Sequence, residues 1–232
     1  MKLSIRSLAI AVTACLFSGA ASIQAAPIIY KLDFGTTVSP VTTGFTAVGP
    51  ETSWTVIPSL TLNNISGVGG SATINATFGN FRAGDAGPGS TQPLTTDGFY
   101  IPAFGSAATF TFSNLTEGST VDLYGISAWY SNVSNDYASR VTFGNGTAVA
   151  AATIGDPVGT APTRANFTYI GSAVVGISGS LSGSFQTGLT DEYEGQLGGL
   201  WIEVTAIPEP STLAMLLGGV GLLAFRRRMR RS

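Results

Sequence analysis

Histidine is missing from this 232-residue chain, and cysteine occurs once, at position 15. Without an imidazole there is no Ser-His-Asp triad, no Cys-His pair and no histidine metal ligand. Charge is scarce too: Asp, Glu, Lys and Arg make up 10% of the residues, against roughly 25% in an average soluble domain. The sequence has no Gly-Lys dipeptide, which excludes a phosphate-cradling P-loop, and no Gly-x-Gly-x-x-Gly follows a strand pattern. Nucleophile elbows of the Gly-x-Ser-x-Gly type are absent as well. The few charges are also unevenly placed. Lys2 and Arg6 open the chain, and Arg226, Arg227, Arg228, Arg230 and Arg231 crowd one short block. Between them Lys31, Arg82, Arg140 and Arg164 face twelve acids, so residues 26–207 carry a net −8. A body that acidic offers no basic stripe to phosphates, and nucleic acid is not an expected partner.

Residues 1–25 read as a secretory signal peptide, with Lys2 and Arg6 as its charged start and 8–17 as its short apolar stretch. Cleavage fits best after Ala25, because a cut after Ala26 would set Pro27 beside the scissile bond. Val12-Thr13-Ala14-Cys15 loosely resembles a bacterial lipobox, the signal for lipidation of its cysteine. The apolar run nevertheless continues through Leu16 and Phe17, where a mature lipoprotein would already have begun. The expectation is a cysteine lost with the signal. The mature body then has no disulfide and relies on its hydrophobic core.

The other address is more specific. Ile207-Pro208-Glu209-Pro210-Ser211-Thr212 precedes thirteen apolar residues, 213–225, and then the arginine block. The prolines hold the chain extended and stop a helix from running upstream. As a helix the apolar run spans about 20–23 Å at ~1.5 Å per residue, short of a ~30 Å hydrocarbon core. Snorkelling arginines and local thinning cover the difference. The expected membrane helix covers about 212–225, with the arginines cytoplasmic and the body outside. Pro-Glu-Pro, apolar helix and arginine cluster, in that order, closely resemble the PEP-CTERM sorting signal of Gram-negative bacteria. The resemblance implies recognition by an exosortase, a membrane transpeptidase, with Pro208, Glu209 and Pro210 as the sorting motif. It also implies export through the inner membrane, transient anchoring there, and a place at the cell surface or in an extracellular matrix rich in exopolysaccharide. The organisation expected is thus signal peptide 1–25, one domain 26–206 and sorting signal 207–232.

The body alternates short apolar runs with Gly, Asn, Asp, Ser and Thr clusters, the pattern of a sandwich or barrel. Strands are predicted at 28–34, 54–57, 72–78, 107–112, 120–130, 140–143, 147–152, 165–170, 173–185 and 199–205. Two hairpins are predicted: 114–119 turns Phe112 back to Val121, and Asn145-Gly146 forms a type I′ turn. No stretch keeps a 3.6-residue period and no crossover helix is visible, so the fold class is all-β and antiparallel. No regular threonine ladder of the kind a flat ice face needs runs along the sequence. The glycine- and proline-rich stretch 79–97 reads as a long irregular loop, either over a binding face or simply disordered.

Tyr30-Lys31-Leu32-Asp33-Phe34-Gly35, Ser39-Pro40-Val41 and Gly44-Phe45-Thr46 resemble the opening of galactose-binding-like β-sandwiches (jelly rolls). Phe110 to Leu115 followed by Tyr124, and the closing stretch from Leu197 to Val204, resemble their inner and final strands. The resemblance implies a fold; no full set of sugar-contacting residues matches. Candidate chemistry is sparse. Asp191, Glu192 and Glu194 fit solvated loop acids, ligands of a structural Ca²⁺ aided by carbonyls, or a glycosidase pair. Asp33 or Glu203 joins such a calcium site if first and last strands pair. Trp129, Tyr130 and Tyr137, around a polar loop with Asn132, Asn135 and Asp136, offer ring faces to a pyranose. Trp201, out of phase with Leu200, Ile202 and Val204, points outward by alternation. Core or edge packing is the competing role for Trp54, Trp129 and Trp201. The function expected is a non-catalytic surface or matrix protein with a polysaccharide-binding sandwich. A purely structural matrix block without a ligand and a carboxylate glycosidase or lyase are the alternatives. No cofactor is expected beyond structural calcium.

Overall fold

The computed structural model describes residues 26–35, 41–49, 60–63, 73–79, 83–84, 98–101, 107–127, 137–152, 154, 162–188 and 194–207, with 219, 221 and 226 beyond them. The chain forms two compact units: Ala26–Ala206, and a second made of Met1–Ala25 with Ile207–Ser232. In the second unit the described residues Gly219, Gly221 and Arg226 are helical. Among the described residues, no helix is long and apolar enough to cross a membrane. The predicted span 212–225 lies almost wholly outside the described residues, as does the signal segment.

The first unit is all-β. One sheet, here sheet A, contains β1 (Ile28–Phe34), β2 (Thr46–Val48), β8 (Thr120–Ile126), β11 (Thr168–Val174) and β14 (Gly199–Thr205), in the order β11-β8-β14-β1-β2. Sheet B contains β3 (Leu60–Asn63), β4 (Thr73–Gly79), β7 (Ala108–Ser113), β9 (Arg140–Phe143), β10 (Val149–Ala150) and β12 (Leu181–Gln186), in the order β10-β9-β12-β7-β4-β3. A small third sheet joins β5 (Ala83–Gly84), β6 (Gly98–Ile101) and β13 (Gly195–Leu197). All described strand pairings are antiparallel except β1 with β2; the isolated bridge between Ala138 and Gln196 is also parallel.

Alternation explains how the sheets meet. In β7, Ala108, Phe110 and Phe112 are buried while Thr109 is exposed. In β8, Val121 and Leu123 are buried against half-buried Asp122 and Tyr124. The inward residues of sheet A (Tyr30, Leu32, Phe34, Leu123, Leu200, Ile202) and of sheet B (Ile74, Phe110, Phe112, Phe143, Phe185) form one core with Phe99, Ile101 and Leu197 of the third sheet. Each large side chain so buried contributes about 1.5–3 kcal/mol of transfer free energy. At the centre, Phe110 is ringed by Phe112, Phe143 and Phe185 with centroids 5.1, 6.2 and 4.6 Å away. Gly183 lies across from Phe110 on β12, and a Cβ there would come within 2.2 Å of the Phe110 ring.

Two predicted turns need correction. Residues 114–119 do not close a hairpin. β7 belongs to sheet B and β8 to sheet A, so the segment carries the chain from one layer to the other. It is tied to a second inter-layer turn by Leu115 N–H to Gly179 O (3.0 Å) and Gly118 N–H to Val175 O (2.8 Å). That second turn also divides the predicted strand 173–185 into the end of β11 and the separate β12. The Asn145-Gly146 hairpin does join β9 to β10. Its positive φ falls on Gly144 (56°) and not on Asn145, which excludes the I′ geometry, since that needs both central residues left-handed.

The outer face of sheet B is assembled across strands. Cross-strand partners Thr142, Ser184 and Thr109 form one row, and Ser182, Thr111 and Thr77 the next. The Thr111 and Ser182 hydroxyls lie 2.8 Å apart. Beyond them Asn75 pairs with Ser113.

Candidate functional site

The outer face of sheet A has a different character. Register sets Tyr169, Tyr124, Trp201 and Lys31 side by side across four strands. Ser172, Asp122, Glu203 and Ile29 form the adjoining row. The pairing of β11 with β8 shifts by one between Tyr169 and Gly171. That bulge lets both Tyr169 and Ser172 face out, each exposed.

At one end of the row Trp201 is covered. Phe45 and Phe167 approach it edge-on, at 6.5 and 5.9 Å between centroids, and the Lys31 ammonium lies 4.2 Å from its ring centroid. Trp201 is buried, in a small cluster with Ile126 and Phe167. Alternation placed it on the outer face correctly, but that face is roofed here, and Trp201 is no platform. Burial lowers the Lys31 pKa below the usual lysine value.

The other end is open. A 3-10 turn at Arg164–Asn166 precedes β11, closed by Asn166 N–H to Thr163 O (3.0 Å) and by Thr163 N–H to Asn166 Oδ1 (2.9 Å). It projects Arg164 back over the sheet. The Arg164 guanidinium lies 5.6 Å from the Tyr124 ring centroid and donates to Glu203 at 3.1 and 3.3 Å. Glu203 also accepts from Trp201 Nε1 at 3.0 Å. One carboxylate thus fixes both a tryptophan and an arginine. Tyr124 meets Tyr169 edge-on at 5.3 Å, and Tyr169 keeps half of its surface exposed. Burial, with the Glu203 charge behind it, raises the Tyr124 pKa. The result is an exposed aromatic step flanked by a cation, Asp122 and Ser172.

The residues singled out from sequence fare unevenly. Trp129, Tyr130, Asn132, Asn135 and Asp136 lie outside the described residues. Tyr137 is half-buried, next to Ala138, which bridges to Gln196. Trp54, Asp191, Glu192, Pro208, Glu209, Pro210, Arg227, Arg228, Arg230 and Arg231 also lie outside the description; Arg226 is exposed. Glu194 accepts from Gln196 Nε2 at 3.3 Å and bonds Tyr100, whose phenol it pushes up to about 12. First and last strands do pair. Asp33 accepts from the Thr42 N–H, and Glu203 accepts from Arg164 and Trp201; Asp191 and Glu192, which either would join in a calcium site, lie outside the described residues. Among the described residues, no three acids cluster as a metal site would require. Sequence reading missed Tyr124, Tyr169 and Arg164. Tyr124 was legible as an outward position, but only the register brings Tyr169 beside it.

The first unit is, by class, an all-β sandwich with an exposed aromatic step. Residues 206–231 match the family model described as the PEP-CTERM protein-sorting motif. The chain therefore carries that sorting signal and is an exported protein of the Gram-negative exosortase system, transiently anchored in the membrane, with exosortase as its processing partner. Neither a curated protein nor a solved structure matches the chain.

Proposed function

We propose that this exported protein binds exopolysaccharide without catalysis, at the cell surface or in the biofilm matrix, through the open end of sheet A. The observation that carries the reading is the Tyr124–Tyr169 step with Arg164 held over it. A pyranose presents C–H groups that pack on an exposed ring, while its hydroxyls reach the flanking polar groups. Arg164, Asp122 and Ser172 are those groups. Glu203 orients Arg164, so the cation is positioned before a ligand arrives, which lowers the ordering cost of binding. Three of the described acids, Asp33, Glu194 and Glu203, are engaged in hydrogen bonds, and in this reading Asp122, beside Glu203, serves as a hydrogen-bond acceptor for sugar hydroxyls. In this reading the sandwich is of the galactose-binding-like, jelly-roll kind.

A single such step gives weak affinity, roughly millimolar to micromolar, and many copies on one surface hold a polymer by avidity. The test is affinity electrophoresis of the chain in gels containing polysaccharide, guided by a glycan array. Tyr169→Ala should abolish retardation and leave the fold intact, since the residue is half exposed. Unchanged migration of wild-type protein in every polysaccharide would return the domain to a structural matrix block without a ligand.

A further inference from the structure

We infer that the outer face of sheet B is a second polysaccharide surface, for an uncharged polymer, and that the domain cross-links two polymer strands. The inference rests on the binding role proposed for sheet A, and it concerns the opposite side of the sandwich. Because the two sheets enclose one core, their outer faces point away from each other. One domain can hold two chains at once without either blocking the other.

The chemistry of the second face is uniform. Thr142, Ser184 and Thr109 in one row, and Ser182, Thr111 and Thr77 in the next, bring hydroxyls from four strands together. Adjacent strands lie about 4.8 Å apart and alternate residues along a strand about 6.8 Å apart, so the hydroxyls form a two-dimensional grid. Thr77 Oγ1 donates to the Thr111 carbonyl at 3.5 Å and the Thr111 and Ser182 hydroxyls share one bond; each hydroxyl keeps acceptor capacity beyond these, as the hydroxyls of a sugar polymer do. Among the described outward residues of these strands, the charged one is Arg140 at the rim, and its guanidinium is bound to Thr187 (3.0 Å to Oγ1, 3.3 Å to the carbonyl). A body with a net charge of −8 repels polyanions, and an uncharged face within it suits a neutral polymer. No ring among the described outward residues is available for stacking, so this face holds an extended chain through many weak bonds rather than one sugar. The sheet also twists, which denies a rigid flat lattice such as ice a continuous contact but not a flexible polymer.

The experiment uses the full chain in detergent micelles. Wild type, Tyr169→Ala and Thr111→Glu are compared by affinity electrophoresis and by turbidity on mixing with a soluble neutral glucan, with a polyuronate as the anionic probe. Thr111 lies on an outward, half-buried position, and Thr111→Val, which keeps shape and strand preference, serves if the charged variant does not fold. Wild type should clot the neutral glucan. Thr111→Glu should still be retarded through sheet A but lose clotting by about tenfold or more, the scale on which losing a second contact acts. Thr111→Val should fall between them. Clotting unchanged in both Thr111 variants overturns the inference and leaves the sheet A reading intact. Preference for the polyuronate overturns it as well. Absence of any retardation in the wild type removes both.

Discussion

Gly183→Ala tests the account of the core most directly. The added methyl would sit 2.2 and 2.5 Å from two Phe110 ring carbons and 2.4 Å from the Thr142 carbonyl oxygen. The ring cannot swing aside, since Phe112, Phe143 and Phe185 confine it and it is 1% exposed. The carbonyl cannot move without disturbing the β12–β9 ladder. Overpacking in a confined core costs about 1–3 kcal/mol, occasionally more, and two obstructions place this variant at about 3 kcal/mol. For a domain of this size that lowers Tm by about 6–12 °C, at ~2–4 °C per kcal/mol. Thermal unfolding followed by circular dichroism measures it. Gly171→Ala is the control, because nothing lies within 4 Å of its Cβ position, and it should shift Tm by no more than a degree or two in the same scan. Shortening Phe110 to Leu in the Gly183→Ala background should recover part of the loss, the remainder belonging to the carbonyl. A Gly183→Ala protein within about 0.5 kcal/mol of wild type would refute the packing argument.

Other outcomes follow from the same structure. Tyr100 has its phenol pushed up to about 12 by Glu194; the folded state keeps that proton after the unfolded chain has lost it, so stability is whole below about pH 10 and falls as pH rises toward 12. Tyr100→Phe should flatten that alkaline limb in urea titrations; an identical limb would show that another group causes it. Glu203→Ala should cost about 1–3 kcal/mol, because Trp201 Nε1 is left buried without its acceptor, whereas Arg164→Ala, removing an exposed partner, should cost under about 1 kcal/mol; equal losses would contradict that division. The unit 26–206 expressed alone should give a strand-dominated circular dichroism spectrum; a helical spectrum or an unfolded chain would refute the boundary. Mass spectrometry of the exported protein should show loss of residues beyond about 207–212 when exosortase is present, and persistence of Ser232 would count against sorting.

Local pattern revealed some of this and geometry concealed the rest. Strands 28–34, 140–143 and 199–205 agree with β1, β9 and β14 residue for residue, because each is a short apolar-rich run set between flanking breakers. The run 173–185 concealed a turn, since Val174, Val175 and Ile177 look like uninterrupted strand, yet Ile177 is 91% exposed at the bend. Trp201 shows the limit of alternation: it assigns a face, not the solvent exposure of that face. Tyr124, Arg164 and Tyr169 meet only because β8, β11 and the turn before it are neighbours. The hydroxyl grid of sheet B likewise draws on segments as far apart as Thr77 and Ser184. No local repeat announces either surface.

The position of β14 also bears on how the protein is made. That strand sits in the interior of sheet A, between β8 and β1, yet it is the last strand of the unit to leave the ribosome and to cross the inner membrane. Until it arrives, β1 and β8 each wait with one ladder edge open, an aggregation-prone arrangement. Closure links Ile28 to Val204, a long-range pairing of the kind that folds slowly. Thr205 ends β14, and the sorting-motif match begins at the next residue. Emergence of the last strand and of the apolar tail are therefore nearly simultaneous, while the pairing of β14 with β1 and β8 comes later. The interval before exosortase cuts is time in which that slow pairing can finish while the chain is still anchored.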